Sequence, residues 1–351
     1  MKWTDEQLHI FASVEEMVRG KGRRGIFVNS VAGAGKTTML VELLDRLLER
    51  GVAAKDILFV SFNRSIRDEI HERTNGKVAA KTIHAMGYEI IKTYFHRSWG
   101  VSVAINEDVA TELHDSLGIS SDLTTGLSML KKNGIVPAGS MAVDAATQVT
   151  AEELREILQM TENGNPEHAE NLLAILQESF DDNKIMERGY IDFDDAIWLT
   201  LKKNQRGFPI VPKTRKVIII DEAQDLSWSD IVFLDLLTRN DALVIGAGDP
   251  HQNIYTWRGT TEDNITMIKH LFNLTELSQN LTFRCAKAIS AYARKFNRKI
   301  KSFENNPQGR VEVVGKGFLS RLQKGDIVIC REHDFLLRRF VTIMEHPDVI
   351  Y

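Results

Sequence analysis

The sequence predicts an α/β fold, a parallel sheet with helices on both faces, interrupted by a mostly helical insertion. The first observation is the stretch from Ile26 to Thr38, where a short apolar run, a small-residue loop with glycines and an apolar-periodic helix follow one another. The second is the alternation of further apolar runs with helical patterns, which is typical of parallel strands joined by helices. The third is residues 99–190, where apolar strand runs stop and helical segments alternate with polar turns.

Length and composition limit the class of protein. At 351 residues the chain allows two or three domains, and its 43% hydrophobic and 26% charged residues are typical of globular proteins. No apolar run reaches the roughly 18–20 residues of a membrane span, and the N-terminus does not resemble a signal peptide. The two distant cysteines, Cys285 and Cys330, form no disulfide or zinc pattern and favour a cytoplasmic protein, or a nuclear one in a eukaryote. The net charge of −4 means that a nucleic-acid site must be a local basic surface.

The stretch from Ile26 to Thr38 has the order of a phosphate-binding site. In such a site a strand is followed by a glycine loop, the residues G-K-T and a helix. The backbone N–H groups of the loop and the positive end of the helix dipole then point toward an anion. Lys36 is expected to reach the β- and γ-phosphates of a nucleotide, and the Thr37 hydroxyl to bind Mg²⁺. Ser30 stands where a glycine usually begins such a loop, so a chance glycine turn is the alternative. The residues predicted to bind the phosphates are Ala32, Gly33, Ala34, Gly35, Lys36, Thr37 and Thr38.

Two adjacent acids follow another predicted strand, 217–220. Asp221 is placed to hold Mg²⁺ through water, and Glu222 is placed to take a proton from an attacking water. An acidic turn without chemistry is the alternative, but two acids after four β-forming residues favour the catalytic interpretation. The earlier segment I-D-F-D-D, residues 191–195, opens a helix that its carboxylates are expected to cap.

Several other polar and aromatic residues fall at the predicted carboxyl ends of strands, where ligands bind in parallel sheets. They are Phe62, Asn63, Thr82 and His84, although a lone phenylalanine or histidine at such a position is more often structural. Gln7, near the start of an N-terminal helix, is either a solvated helix residue or a side-chain amide that reads adenine.

A loop with two large aromatic residues follows the predicted strand 242–248. Gln252 is placed to sense the γ-phosphate, and Tyr255 and Trp257 are spaced to stack on the bases of a single strand. If the loop is only structural, both aromatic side chains require burial against another element.

The last part of the chain begins with F-R-C and a basic segment. Arg284 is positioned to reach the γ-phosphate from a second domain. The basic helix predicted up to Lys301 is either a solvated face or a track for a phosphate backbone. Residues 311–314 and 326–330 are predicted to be strands of that second domain.

Seven segments of the chain occur in an order known from one protein family. They are V-A-G-A-G-K-T, S-F-N, T-I-H, I-D-F-D-D, D-E-A-Q-D, G-D-P-H-Q-N-I-Y-T-W-R-G and F-R-C. In this order they resemble the UvrD/Rep/PcrA family of superfamily 1 helicases. The resemblance covers most of residues 4–300, and the Q-x-x-Y-x-W-R-G segment favours the UvrD-like branch.

The resemblance implies a RecA-like P-loop NTPase domain, an insertion similar to subdomain 1B, and part of a second RecA-like domain. The implied ranges are 1–98 and 191–275 for domain 1A, 99–190 for the insertion, and 276–351 for the start of domain 2A. We expect the chain to end inside domain 2A, because the later family segments G-x-E-[FW] and V-A-x-T-R-A are missing after Arg284.

The resemblance also implies a role for each matching residue. Gln7 would read adenine, and Phe283 stands where the family has an adenine-stacking tyrosine. The residues implied to carry catalysis or bind Mg²⁺ are Lys36, Thr37, Asp221, Glu222, Gln252 and Arg284. The residues implied to line a single-strand groove are Phe62, Asn63, Thr82, His84, Tyr255 and Trp257. Thr38 replaces a common arginine of the family, which weakens one phosphate contact, and Thr282 stands at the position of a common asparagine.

The implied function is an ATP-dependent single-stranded-DNA translocase or helicase that uses Mg²⁺ and moves 3′→5′ in repair, recombination or replication. The alternatives are an ATP-switched adaptor that binds single-stranded DNA without unwinding, and an ATPase subunit of a larger repair, replication or defence complex. RNA stays an alternative to DNA as the bound strand, and no membrane partner is expected.

Overall fold

The structure, a computed structural model, describes residues 2–20, 24–61, 64–117, 123–137, 147–160, 165–204, 214–253, 262–315, 321–323, 325–330 and 337. The helices in these ranges are α1 (Asp5–Met17), α2 (Lys36–Glu49), α3 (Arg64–Arg73), α4 (Ile83–Trp99), α5 (Val109–Ser116), α6 (Thr124–Lys132), α7 (Ala151–Met160), α8 (Ala169–Phe180), α9 (Asp182–Arg188), α10 (Phe193–Asn204), α11 (Trp228–Leu237), α12 (Glu262–Leu271) and α13 (Lys287–Ala293). The strands are β1 (Arg24–Ser30), β2 (Ile57–Val60), β3 (Ala79–Lys81), β4 (Ala104–Ile105), β5 (Ile135–Pro137), β6 (Thr147–Val149), β7 (Tyr190–Ile191), β8 (Arg215–Ile220), β9 (Thr238–Gly248), β10 (Leu274–Gln279), β11 (Leu281–Thr282) and β12 (Lys301–Ser302). None of the helices in the described ranges has the length and apolar character needed to cross a membrane.

Six strands form one parallel sheet in the order β10–β1–β9–β8–β2–β3. This sheet confirms the predicted α/β class. The strand order brings β1, β8 and β9 side by side, although β8 and β9 lie far from β1 along the chain. Because parallel strands end at one edge, the segments that follow these three strands converge there.

Helices cover both faces of this sheet, and β1 shows how its side chains are shared between them. Ile26 and Val28 belong to a core with α1, α2 and α3, whereas Phe27 belongs to the opposite core with α4, α10, α11 and α12. Successive side chains of a strand point to opposite faces, so a strand buried on both faces requires a continuous apolar run. The apolar runs of the sequence therefore have a direct structural cause.

Between α4 and α10 the chain forms the predicted helical insertion, which comprises α5 to α9 and the short parallel pairs β4–β7 and β5–β6. Its buried side chains, Leu127 among them, form one core with Phe95 of α4 and Trp198 of α10. The buried indole N–H of Trp198 donates a hydrogen bond of 2.9 Å to the carbonyl of Ile135. The insertion therefore packs directly on two helices of the sheet domain.

The I-D-F-D-D segment caps α10, as predicted, and also binds the insertion. The backbone N–H of Asp195 donates to Asp192 Oδ1 at 2.6 Å, and that of Asp192 donates to Asp195 Oδ2 at 3.2 Å. Lys131 of α6 lies between the same carboxylates, with its Nζ 2.6 Å from Asp192 Oδ2 and 2.7 Å from Asp195 Oδ1. The side chains of Lys131 and Asp195 are completely buried.

Burial and charge act in opposite directions on this ion pair. Burial alone would lower the pKa of Lys131, but Asp192 and Asp195 outweigh it and raise that pKa to about 12. Burial and the neighbouring carboxylate raise the pKa of Asp195 to about 6, although Lys131 opposes the shift. The ammonium group is therefore the partner that keeps Asp195 ionised inside the protein.

Replacing Lys131 by methionine should lower the free energy of unfolding by about 3–5 kcal/mol at pH 8, because a buried carboxylate is left unpaired. A carboxyl whose folded pKa is raised favours folding at low pH, and this advantage is lost as the pH rises through the folded pKa. The pKa of Asp195 is about 6 beside Lys131, which lowers it, and is higher still in the variant. The loss in the variant should therefore be smaller at pH 5, where Asp195 can take up a proton. Urea denaturation followed by circular dichroism at both pH values measures the difference.

The matched control for this prediction is Lys77→Met, which removes an exposed lysine. Adding Asp195→Asn to Lys131→Met should recover part of the stability at pH 8, because the unpaired charge is gone. A Lys131→Met variant as stable as the control at both pH values would contradict the buried-ion-pair interpretation.

The described residues after β10 form a small segment with the parallel pair β11–β12 and the helix α13. The predicted boundary between residues 275 and 276 falls inside β10, which stays paired with β1 up to Gln279. The domain ranges themselves remain predictions.

The two strands and the length of the basic helix that the sequence predicts for this segment are wrong. Residues 311–314 and 326–330 are not strands, and the side chains of Val313, Ile327 and Ile329 are 82–88% exposed. β-forming residues make a strand only beside a neighbour that pairs with their backbone, and no described residue does so here.

The predicted basic helix extended to Lys301, but α13 ends at Ala293. Beyond Ala293, like charges recur four residues apart, and such spacing disfavours a continued helix.

Candidate nucleotide-binding site

The phosphate loop lies between Ser30, where β1 ends, and Lys36, where α2 begins. Gly33 and Gly35 have φ values of 73° and 80°, in the left-handed region that favours glycine. A Cβ on Gly33 would lie 2.5 Å from the Cβ of Arg284, so the loop also depends on glycine for this close approach. The predicted order of strand, glycine loop and helix is therefore present, with Gly35 as the residue before the helix.

The two adjacent acids meet the phosphate loop at the edge of the sheet. Lys36 Nζ forms an ion pair with Glu222 Oε2, and Thr37 Oγ1 donates a hydrogen bond of 2.9 Å to Asp221 Oδ2. Glu222 has φ 51°, which turns the chain sharply after β8 and directs its side chain to Lys36. Within each pair the two residues lie about 185 positions apart in the sequence, and the structure brings all four residues together.

Asp221 is completely buried, while the Glu222 side chain remains 37% exposed. Burial raises the pKa of Asp221, and Lys36 and the hydrogen bond from Thr37 oppose that shift. The hydroxyl of Thr37 and the carboxylate of Asp221 are hard oxygen ligands of the kind that Mg²⁺ takes together with nucleotide phosphates and water. These residues therefore fit Mg²⁺, although the described part of the chain has no cluster of three or more His, Cys, Asp or Glu residues that would hold a metal alone.

A buried amide that the sequence analysis did not single out connects the acids to the loop after β9. Gln224 Nε2 donates to Glu222 Oε2 at 2.8 Å, and Gln224 Oε1 accepts from the backbone N–H of Asp249 at 3.1 Å. Asp249 Oδ2 in turn accepts from Gln252 Nε2 at 2.7 Å. The predicted γ-phosphate sensor Gln252 is therefore linked to the predicted base Glu222 through two side chains.

Gln7 lies beside the phosphate loop and also caps α1. Its Oε1 accepts hydrogen bonds from the backbone N–H and the hydroxyl of Thr4, at 3.0 and 3.2 Å. Its Nε2 lies 3.8 Å from the position that a Cβ on Gly35 would occupy. Gln7 is only 4% exposed, so the interpretation as a solvated helix residue is wrong. The capping bonds of its side chain use only the oxygen of the amide, and the adenine-reading interpretation stays a prediction.

Phe283 and Arg284 lie directly against the phosphate loop. The backbone N–H of Phe283 donates to the carbonyl of Gly33 at 2.9 Å, and its ring, 39% exposed, has its centroid 5.1 Å from that of Phe303. Together with the closeness of Arg284 Cβ to Gly33, this contact places both residues next to the predicted phosphate site. Thr38, by contrast, is exposed in the first turn of α2.

The predicted strand-binding residues that the structure describes lie near the I-D-F-D-D segment. The Thr82 hydroxyl caps α4 by accepting from the Ala85 N–H at 3.2 Å. The His84 ring is 3.9 Å from Asp194 and 6.1 Å, centroid to centroid, from the ring of Phe193, which is 42% exposed. Phe193 was not among the predicted site residues, because an aromatic inside a helix-capping segment resembles a core residue.

Asp194 contacts His84 of α4 and two residues of α6, Ser128 and Lys132. Burial disfavours its ionised form, but His84, Lys132 and Ser128 outweigh burial and hold its pKa well below the usual range. Lys132 Nζ lies 3.3 Å from Asp194 Oδ1. The predicted groove residues Phe62, Asn63, Tyr255 and Trp257 lie outside the described residues.

Several known proteins are similar to this chain in sequence. Residues 13–273 match the UvrD/REP helicase N-terminal domain. The chain is 26% identical over 271 residues to the ATP-dependent DNA helicase Rep of Escherichia coli, an alignment that covers 71% of this chain and 38% of that protein. It is 24% identical over 291 residues to the ATP-dependent DNA helicase PcrA of Bacillus subtilis, covering 78% and 37%. It is 23% identical over 299 residues to a probable DNA helicase II homolog of Mycoplasma genitalium, covering 81% and 42%.

The chain spans about two fifths of the length of these curated relatives. The family match covers well over half of the chain, from α1 to the start of β10, and includes the phosphate loop and both acids. By sequence and by fold, the chain belongs to the family of the UvrD/REP helicase N-terminal domain.

Proposed function

We propose that this chain binds ATP and Mg²⁺ at the phosphate loop and hydrolyses the nucleotide as part of a motor that moves along single-stranded DNA. The observation that carries the proposal is the pairing of Lys36 with Glu222 and of Thr37 with Asp221 at the edge of the sheet. A nucleotide entering this site would draw Lys36 to its phosphates. The Glu222 carboxylate would then be free to take a proton from the attacking water.

Mg²⁺, held by Thr37 and through water by Asp221, would neutralise charge on the phosphates. Gln252 would report the γ-phosphate to Glu222 along the hydrogen bonds through Asp249 and Gln224. Gln7 and Phe283 would hold the adenine base, and Arg284 would meet the γ-phosphate.

We further propose that the strand passes over the carboxyl edge of the sheet with 3′→5′ polarity, in repair, recombination or replication in the cytoplasm. The residues proposed to line its path are Phe62, Asn63, Thr82, His84, Tyr255 and Trp257. Phe193 joins them, because its exposed ring beside His84 offers a further stacking surface. The support comes from the exposed ring of Phe193 beside His84 and from the similarity to Rep and PcrA, which are ATP-dependent DNA helicases.

The test is the rate of ATP hydrolysis by the 351-residue chain with and without an oligothymidylate. We expect hydrolysis that requires Mg²⁺ and rises with the single strand. Strand binding that depends on ATP, without hydrolysis, would instead support the adaptor alternative. An oligouridylate that stimulates as strongly would move the proposal from DNA to nucleic acids in general.

Replacing Trp257 by alanine should weaken single-stranded DNA binding by about 1–3 kcal/mol, with little dependence on sequence, because base stacking is sequence-tolerant. ATP affinity should stay unchanged, since Lys36, Thr37 and Asp221 are untouched. Fluorescence anisotropy with labelled homopolymers measures the loss, and Trp99→Ala, which removes a partly exposed tryptophan at the end of α4, is the control. Unchanged DNA affinity in a folded Trp257→Ala variant would remove this residue from the groove.

A further inference from the structure

Gln279 is the last residue of β10, and three of its polar atoms face the phosphate loop. Its side-chain Oε1 accepts a hydrogen bond of 3.0 Å from Ser30 Oγ, and its Nε2 donates one of 2.6 Å to the carbonyl of Ala34. Its backbone carbonyl accepts from the Val31 N–H at 3.0 Å. A single side chain, only 1% exposed, therefore connects the beginning of the loop to its end.

This contact gives a role to the serine that stands where such loops usually begin with glycine. Ser30 is 1% exposed and lies directly opposite Gln279 in the pairing of β1 with β10. The bridge needs an amide, because one side chain must accept from the hydroxyl and donate to the carbonyl of Ala34. Without the amide, a buried hydroxyl and a buried carbonyl lose their partner, which is unfavourable.

The residues after Gln279 are bound both to α1 and to the phosphate loop. The backbone N–H and the Nδ2 of Asn280 donate to the two oxygens of Glu6, at 2.7 and 3.1 Å. The N–H of Phe283 donates to the carbonyl of Gly33. Residues 279–283, here called the 279–283 link, therefore contact the loop at both ends and are anchored to α1 between them.

The 279–283 link, which includes β11, also joins the sheet to the segment that contains α13 and β12. The carbonyl of Asn280 accepts a hydrogen bond of 2.8 Å from the N–H of Lys301 in β12. A movement of that segment relative to the sheet would pull on Asn280 and hence on the neighbouring Gln279. The amide of Gln279 would pass the movement to Ser30 and Ala34.

We propose that Gln279 is a positioning residue that sets the shape of the phosphate loop, and that the 279–283 link couples this shape to the segment that contains α13 and β12. The proposal rests on the proposed binding of ATP at this loop. Gln279 acts through the backbone of the loop and touches no reacting atom. Its effect should therefore fall on nucleotide affinity more than on the chemical step.

The first experiment measures the dissociation constant of ATP–Mg²⁺, KM and kcat for the 351-residue chain and for Gln279→Met, Ser30→Ala and the double variant. Gln279→Met keeps the shape of the side chain, removes both side-chain hydrogen bonds and should weaken ATP binding about tenfold, with a larger change in KM than in kcat. The double variant should bind no more weakly than Gln279→Met, because Ser30 has already lost its partner there. Thr275→Ala, an exposed position on the same strand, is the matched control.

The second experiment tests the coupling through Asn280. Glu6→Ala and Asp5→Ala each remove one acid from the first turn of α1, but only Glu6 binds the link, whereas Asp5 is exposed. We expect Glu6→Ala to weaken ATP binding by about three- to tenfold and Asp5→Ala to leave it unchanged. The pair separates the contact with the link from the effect of charge at a helix N-terminus.

The outcomes are distinguishable. If the wild-type chain binds no ATP, this proposal and the proposed function both fail. If the wild type binds ATP and Gln279→Met and Glu6→Ala bind it equally well, the positioning role alone is overturned. If Gln279→Met does not fold, Ser30→Ala and Glu6→Ala decide: weaker ATP binding in both supports the link, and wild-type binding in both overturns it.

Discussion

Replacing Glu222 by glutamine should leave ATP binding near its wild-type strength and slow hydrolysis by about 10²–10⁴-fold, the usual contribution of a general base. Glutamine keeps the size of the side chain and its hydrogen bond from Gln224, but it cannot take a proton from water. It also leaves Lys36 without its carboxylate partner, so the ammonium group is more available to the phosphates. In this variant the affinity for ATP should therefore stay near the wild-type value while the rate of hydrolysis falls.

The measurements are equilibrium binding of a fluorescent ATP analogue and steady-state hydrolysis at saturating ATP. Glu49→Gln makes the same chemical change at the exposed end of α2 and should match the wild type in both assays. Loss of nucleotide binding together with turnover would assign Glu222 to the structure of the site. Turnover within threefold of the wild type would show that another group takes the proton.

The geometry around Glu222 was predictable from the sequence because each part of it follows from a local pattern. The phosphate loop connects a buried strand to a helix that begins at Lys36, and a short loop between two such elements has few possible shapes. Asp221 follows a run of four β-forming apolar residues, which indicates a strand buried on both faces. Parallel strands place both segments at one edge of the sheet, and the strand order, which was not predicted, brings them together there.

The side chains that connect these parts were not predictable in the same way. Gln224 and Gln279 are buried amides that bind residues distant in sequence, Asp249 and Ala34, and a lone glutamine in a sequence resembles any surface residue. Lys131 is similar, since a lysine at a helical position is usually exposed, and only the packing of α6 on α10 buries it against Asp195. The wrong strand predictions at 311–314 and 326–330 arose because the residues are β-forming by type. Among the described residues they have no neighbouring strand to pair with.

Replacing Lys36 by alanine should remove most of the ATP hydrolysis of this chain. We expect ATP hydrolysis to fall by at least about 10³-fold, since losing one charged donor to the developing phosphate charge typically costs about 10²–10³-fold and this one also holds the ground state. The reason is positional: Lys36 is the first residue of α2, and its ammonium group already lies at the carboxylate that would face the attacking water.

The matched control is Lys55→Ala, which removes an exposed lysine before β2 and should leave hydrolysis unchanged. The Lys36 variant should stay folded, because the partner that it leaves behind, Glu222, is 37% exposed and its carboxylate can be solvated by water. Thermal melting by circular dichroism therefore separates a lost site from a lost fold. Nucleotide-dependent activity near the wild-type rate in a folded Lys36→Ala variant would mean that the loop between β1 and α2 does not bind the phosphates, and the proposed function would fail with it.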